Sequence, residues 1–154
     1  MNTFINAETT EANVLSSTDS TQGKETALKL IGNGCDVLFA IGGGAVNGAL
    51  LAARANNLPA IGANVDEHNT YPGVQSALIS SAMKHVDVAV YDYLKTVADG
   101  SVQAGISTGT LQNGDVGLAP FRDWEGKIQA GLKAQIQKAS DGIMDGSITI
   151  DLPQ

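Results

Sequence analysis

Four groups of residues have side chains and spacing suited to chemistry. The run Gly42-Gly43-Gly44-Ala45-Val46-Asn47-Gly48 follows an apolar stretch and opens a helical pattern. Glycines let a backbone approach a ligand closely, and a helix N-terminus presents unpaired N–H groups. The run is a loose relative of G-x-G-x-x-G, with the spacing off by one. It lacks the Gly-Lys-Ser/Thr of a Walker phosphate loop. The same residues also suit a tight strand-to-helix turn in which glycine packs helix on sheet. The run Asn64-Val65-Asp66-Glu67-His68-Asn69 offers short polar side chains that accept hydrogen bonds from hydroxyls. A ribose cis-diol suits it, as does plain solvation of a loop. Lys84 falls near a helix start, where a cation opposes the local dipole. That position invites pairing with a ligand oxygen or with Asp66, beside the ordinary role of a surface lysine. Phe39 is the last bulky side chain before the glycine turn, and only 5% of the residues are aromatic. It can stack on a planar ligand or fill the core.

Other reactive types lead nowhere. His68 and His85 fall on different elements without an i+4 partner, which argues against a metal site. Cys35 adjoins no His or cation and reads as a small buried hydrophobe. There is no G-x-S-x-G elbow for a serine nucleophile. Trp124, in the polar setting FRDWEGK, reads as an anchor for the last helix.

Composition narrows the field further. The 154 residues carry 9 Lys plus Arg against 16 Asp plus Glu, a formal charge of -7. Nucleic-acid binding depends on clustered cations, so it is not expected. One cysteine excludes an internal disulfide and a cysteine-rich zinc site. No apolar run approaches the roughly 20 residues of a membrane span. The opening MNTFINAETTEA has neither a basic nor an apolar region, so no signal peptide is visible. With 43% hydrophobic residues, a core is expected, and no repeat period is apparent.

The elements that must position these residues read as follows. Residues 1–12 are a polar lead-in, and Ala12 to Ser16 a short extended candidate. Ser17 to Thr21 has the composition of a capping loop for a helix from Thr21 to Gly32, closed by Gly32-Asn33-Gly34. Asp36 to Ile41 is nearly continuously apolar, as a strand covered on both faces would be. A small-residue helix spans Asn47 to Asn56, and a second buried strand Leu58 to Ala63. After a polar loop to Gly73, Val74 to Ile79 reads as a third strand. Met83, Val86, Val90, Tyr93, Leu94 and Val97 recur at helical spacing and predict a long helix from Ser80 to Ala98. Gln103 to Leu118, with Asn113-Gly114, predicts a two-strand hairpin. Trp124 to Met144 predicts a last helix ended by Asp145-Gly146, followed by extended Ile148 to Leu152. Alternating strands and helices predict an α/β fold with a doubly wound, mainly parallel sheet and a possible antiparallel finish after residue 100. Ligands in such sheets sit beyond the carboxyl ends of the strands, next to Phe39, Ile61 and Ile79.

In this order the segments resemble the C-terminal part of the basic membrane protein family of ABC-importer solute-binding proteins, which bind purine nucleosides. The resemblance rests on Asp19-Ser20, Gly23-Lys24-Glu25, the run Gly34 to Phe39, Gly42-Gly43-Gly44 with Asn47-Gly48, Ile61-Gly62 and Tyr71-Pro72-Gly73. The strongest stretch is Ser81 to Asp92, SAMKHVDVAVYD. Gly114 to Ala119 and Asp145 to Ile148 complete a match over residues 13–152.

The resemblance implies one lobe of a periplasmic-binding-protein type I clamshell, without catalysis or cofactor, working with an ABC permease outside the cytoplasmic membrane. Phe39 would stack on the base. Gly42 and Gly43 would line the cleft with backbone, and Asn64, Asp66 and Lys84 would meet the ribose. Asn64 stands where the family usually has Asp, and accepts a hydrogen bond without adding charge. Val46 replaces a usual glycine, and a long Gly73–Lys84 interval would displace Lys84. A single lobe leaves one face of the base in water. Losing about 4 kcal/mol of contact weakens binding about a thousandfold. Weak nucleoside binding is therefore expected, with a missing N-terminal lobe or self-association covering the exposed surface. Two other readings stay open: a small nucleotide-binding or enzymatic domain using the Gly42–Gly48 turn, and a vestigial protein-interaction module.

Overall fold

The computed structural model describes residues 8–150. Residues 151 and 152 of the expected last strand lie outside that range. The strands take the order β1-β2-β3-β4 in one mostly parallel sheet: β1 (Leu38–Phe39), β2 (Ala60–Asn64), β3 (Leu78–Lys84) and β4 (Val116–Leu118). The chain divides into two compact units, residues 1–62 with 67–78, and residues 63–66 with 79–154.

The first unit is built on α1 (Ser20–Gly32) and α2 (Ala45–Ala55). Asp19 caps α1, accepting from the Thr21 and Gln22 amides at 2.9 and 3.2 Å. These bonds satisfy donors that the first helical turn leaves free. At the other end the Gly34 amide donates to Ile31 and the Cys35 amide to Leu30, at 3.0 and 3.1 Å. This Schellman closure needs a left-handed residue, which Gly34 provides at φ 95°. α2 closes the same way with Asn57 at φ 54°, the Leu58 amide donating to Ala53 at 2.9 Å.

The two helices meet through small residues. A Cβ on Gly23 would lie 2.0 Å from the Ala45 carbonyl oxygen, and one on Gly48 1.8 Å from that of Ser20. Gly23, Ala27, Gly48, Ala52 and Ala53 are all buried. Leu38, Val46, Leu50, Ala60, Val74 and Leu78 complete the core. Val46, where the family usually has glycine, is thus a core side chain, 4% exposed.

β1 and β2 pair in parallel, Leu38 with Ala60 and Phe39 with Ile61. β1 is shorter than the apolar run 36–41 suggested. Leu38 is buried, but Phe39 is 54% and Ile41 72% exposed, so the strand is not covered on both faces. Residues 12–16 form no strand. The loop after β2 contains a short helix, α3 (Glu67–Thr70). Glu67 is 7% exposed, and burial raises its carboxyl pKa. The folded state therefore holds that proton more tightly than the unfolded chain does. The stability this confers is full below the unfolded value and is lost as pH rises through the folded one. Relative to wild type, Glu67→Gln is expected to grow more stable between pH 4 and pH 7, measured as the difference in urea midpoints.

The second unit departs most from the sequence reading. Val74 to Ile79 is mainly a single 3-10 turn, Gln75–Ala77, and β3 continues to Lys84. The helix α4 begins only at Val86 and ends at Ala98. Two buried serines, Ser80 and Ser81, misled the periodicity. The Ser80 hydroxyl donates to the Ala119 carbonyl at 2.7 Å, and the Ala119 amide donates to Ser81 at 2.9 Å. A short polar residue satisfied 39 positions away leaves no local strand signal. Met83, three residues before Val86, extended the apparent helical stripe into the strand.

β4 pairs antiparallel with β3, Ala82 with Leu118 and Lys84 with Val116. The expected hairpin over 103–118 does not form. Asn113 takes the place of a ladder, accepting from the Thr110 amide at 2.8 Å and donating to the Thr108 carbonyl at 3.1 Å. The last helix, α5, spans Ala130–Met144, preceded by a 3-10 turn at Arg122–Trp124. The Trp124 carbonyl accepts from the Lys127 and Ile128 amides, so Trp124 belongs to the lead-in of α5. Lys127 lies 4.4 Å above its ring. Gly146 turns the chain at φ 79°, and Ile148 folds back to α5 through its amide on the Gly142 carbonyl at 2.8 Å. Residues 148–150 are not a strand.

Candidate functional site

Three of the six candidate residues are the last residues of strands: Phe39 of β1, Asn64 of β2 and Lys84 of β3. Phe39, Gly42 and Gly43 belong to the first unit, and Asn64, Asp66 and Lys84 to the second.

Parallel bonding fixes Phe39. The Leu38 amide donates to Pro59 and the Ala40 amide to Ile61, both at 3.1 Å. Strand alternation then sends Leu38 to the core and Phe39 to the opposite side. At 54% exposure Phe39 is no core residue.

The glycine turn divides in two. A Cβ on Gly42, at φ 152°, would come within 3.8 Å of the Val46 side chain, an ordinary contact distance. Gly43 and Gly44 face the backbone of Ser17 and Thr18, where a Cβ would come to 3.0 and 2.7 Å. The Ala45 amide at the head of α2 donates to the Ser17 carbonyl at 2.9 Å. A donor that a phosphate would need is therefore already taken, and most of these glycines serve close packing. The packing partner is the segment 17–24, not the sheet.

Asn64 sits at φ 71°, in a three-residue turn closed by the Val65 amide on the Ala63 carbonyl at 2.9 Å. Asn accepts this left-handed geometry better than a branched residue. Asp66 forms an ion pair with Arg122, the two side chains being 14% and 29% exposed. Sequence reasoning missed Arg122. It lies 56 residues away and at φ 44°, with only its charge as a signal. The expected alternative, Lys84 with Asp66, does not form among the described residues: Arg122 holds that carboxylate. Breaking a partly buried pair on one side strands a charge. With both groups partly solvated, Arg122→Met is expected to cost about 1–2 kcal/mol in urea unfolding. Adding Asp66→Asn should recover part of that loss.

Lys84 is exposed at the end of β3. It lies just outside α4, next to the N-cap residue His85, and so stays near a helix start. The Gly73–Lys84 interval contains the 3-10 turn Gln75–Ala77, and Lys84 is the last residue of β3. It stands at the rim of an open groove of about 930 Å³ formed with α4, the 101–109 loop and Asp115. His85, which follows, has its amide on the Asp115 carbonyl at 2.7 Å.

By architecture the chain is an α/β protein with one four-stranded sheet. Its sequence is more specific. The chain belongs to the Bmp family, described as ABC transporter substrate-binding protein, PnrA-like, whose model matches residues 5–150. That family is one of solute-binding proteins, not of enzymes. The ABC transporter nucleoside-binding protein BmpA of Lactococcus lactis subsp. cremoris (strain MG1363) is 29% identical, over 86% of this chain and 40% of that protein. A transcriptional activator of the comK gene from Bacillus halodurans superposes with TM-score 0.78 at 22% identity, over 90% of this chain and 47% of its own. An ABC transporter system solute-binding protein from Aeropyrum pernix K1 gives TM-score 0.71 at 24% identity, over 88% of this chain and 45% of its own. These structural likenesses show the fold. The chain spans less than half the length of each of these relatives.

Proposed function

We propose that this chain is one lobe of a solute-binding component of an ABC-type importer, and that its solute is a purine nucleoside. The observation that carries the reading is Phe39: a strand-end aromatic left 54% exposed. Such a ring gains by stacking on a flat base. Asn64 and Lys84, in the second unit, carry the acceptor and donor types that ribose hydroxyls use. Asp66 contributes through the loop that it and Arg122 hold. The nucleoside-binding relative in Lactococcus supports the solute class, and family membership supports a permease partner and an extracytoplasmic location. Among the described residues no helix is long and apolar enough to cross a membrane. The domain reading is a single lobe over residues 13–152.

With one wall only, affinity should be low, on the order of 1 mM or about 4 kcal/mol. Calorimetric or NMR titration with adenosine, guanosine, inosine and their monophosphates tests the reading. A preference for the unphosphorylated nucleosides is expected. A preference for monophosphates would favour the nucleotide-domain alternative, against which the engaged Ala45 amide already counts.

A further inference from the structure

We propose that Arg122 is a positioning residue for the strand-end loop 63–66, and that its ion pair with Asp66 holds Asn64 ready for a ribose hydroxyl. The ribose part rests on the nucleoside reading above; the clamp itself does not. Among the described residues, three that are not glycine take a positive φ: Asn57, Asn64 and Arg122. Asn57 closes α2. Neither of the other two ends a helix, and Asp66 links them: it follows Asn64 closely in sequence and pairs with Arg122. Asn tolerates a left-handed backbone through its short polar side chain, whereas arginine has no such local use for it. Such a conformation persists where its surroundings over-determine it, and it clusters at ligand clamps. Arg122 also buries its Nε without a hydrogen-bond partner among the described residues. A surface arginine would not bear that cost. The contact of Nη2 with the Asp66 carboxylate is what stands against both.

The backbone around Arg122 is anchored independently of the pair. The Ala119 amide donates to the Ser81 carbonyl at 2.9 Å, and the Ser80 hydroxyl to the Ala119 carbonyl at 2.7 Å. Beyond it the Glu125 amide donates to the Arg122 carbonyl at 2.9 Å. Arg122 therefore reaches out from a segment fixed to β3. The ion pair ties the tight turn at Asn64 to that segment, within the second unit. A clamped loop keeps Asn64 in its competent conformer, and affinity falls in proportion as that conformer's fraction falls.

The test has a ligand-free arm and an inosine arm. In the first, amide nitrogen relaxation is measured on the intact chain, on Arg122→Gly and on Asp66→Asn. Glycine suits the left-handed backbone at 122, so this change removes the guanidinium and spares the turn. Order parameters at Asn64 and Val65 are expected to fall from about 0.85 to below about 0.6 in both variants, with Ala119 unchanged. Arg122→Lys is expected to restore the order, because the contact runs through one nitrogen that an ammonium replaces. An unchanged loop in either variant, or an equal loss at Ala119, would overturn the proposal. So would a lysine variant as disordered as the glycine one. Asp66→Asn decides this arm even where Arg122→Gly does not fold. In the second arm, inosine affinity is expected to fall about fivefold in Arg122→Gly and to return within about twofold of wild type in Arg122→Lys. A disordered loop with unchanged affinity would overturn the positioning role. No inosine binding by the wild-type chain would overturn the ribose role together with the nucleoside reading, while the order parameters still decide the clamp.

Discussion

Gly48→Ala should cost the chain at least about 3 kcal/mol of stability, and it should leave much of the population unfolded if the wild type is marginal. The added methyl group would meet the Ser20 carbonyl oxygen at 1.8 Å, its carbon at 2.7 Å and the Lys24 amide at 2.8 Å. All three are backbone atoms of α1 or its first turn, so no rotamer change can relieve the overlap. The helices would have to separate, exposing Ala27, Ala52 and Ala53. Gly32→Ala is the matched control. It lies exposed at the end of α1 with nothing within 4 Å, and should be neutral or stabilise by up to about 0.5 kcal/mol. Urea unfolding of the two variants separates a packing requirement from mere glycine removal.

The second large effect concerns ligand. Phe39→Ala should weaken nucleoside binding by about 1–3 kcal/mol, roughly fivefold to 150-fold, which is the range of one base–aromatic stack. The same change should lower stability by no more than about 1 kcal/mol, because a ring that is 54% exposed contributes little burial. That split distinguishes a stacking surface from a core residue. Leu38→Ala next to it should do the reverse, since Leu38 is 5% exposed and packs in the main cluster. Titration paired with unfolding on both variants checks the crossed pattern.

The elements that sequence located best are those whose signals are local. Asp19 with the Ser/Thr cluster marks the start of α1, and Asn33-Gly34 marks its end, because caps are satisfied within a few residues. The Gly42 turn and the apolar pieces around Leu38 and Ala60 likewise appear where the order of apolar and turn residues puts them. What sequence could not carry is non-local. β3 hides behind two serines that pair with the distant Ala119, and β4 is a strand only because β3 is beside it. The Arg122 partner of Asp66 has no counterpart in spacing at all. Burial also escaped composition. α4 carries an apolar stripe at helical spacing and is exposed, whereas Gly43, Gly44 and Gly48 read as turn or ligand residues and are packed against backbone. Family resemblance filled part of this gap, because the order of motifs encodes contacts that periodicity does not.

The role of Phe39 as the stacking side chain is most directly tested by following backbone amide resonances of the intact chain during titration with inosine, using inosine monophosphate as comparator. The account predicts concentration-dependent shifts at Phe39 and Gly42 that share one dissociation constant and are lost in Phe39→Ala. Shifts confined to other residues, or shifts at these two that fit unrelated constants, would contradict it.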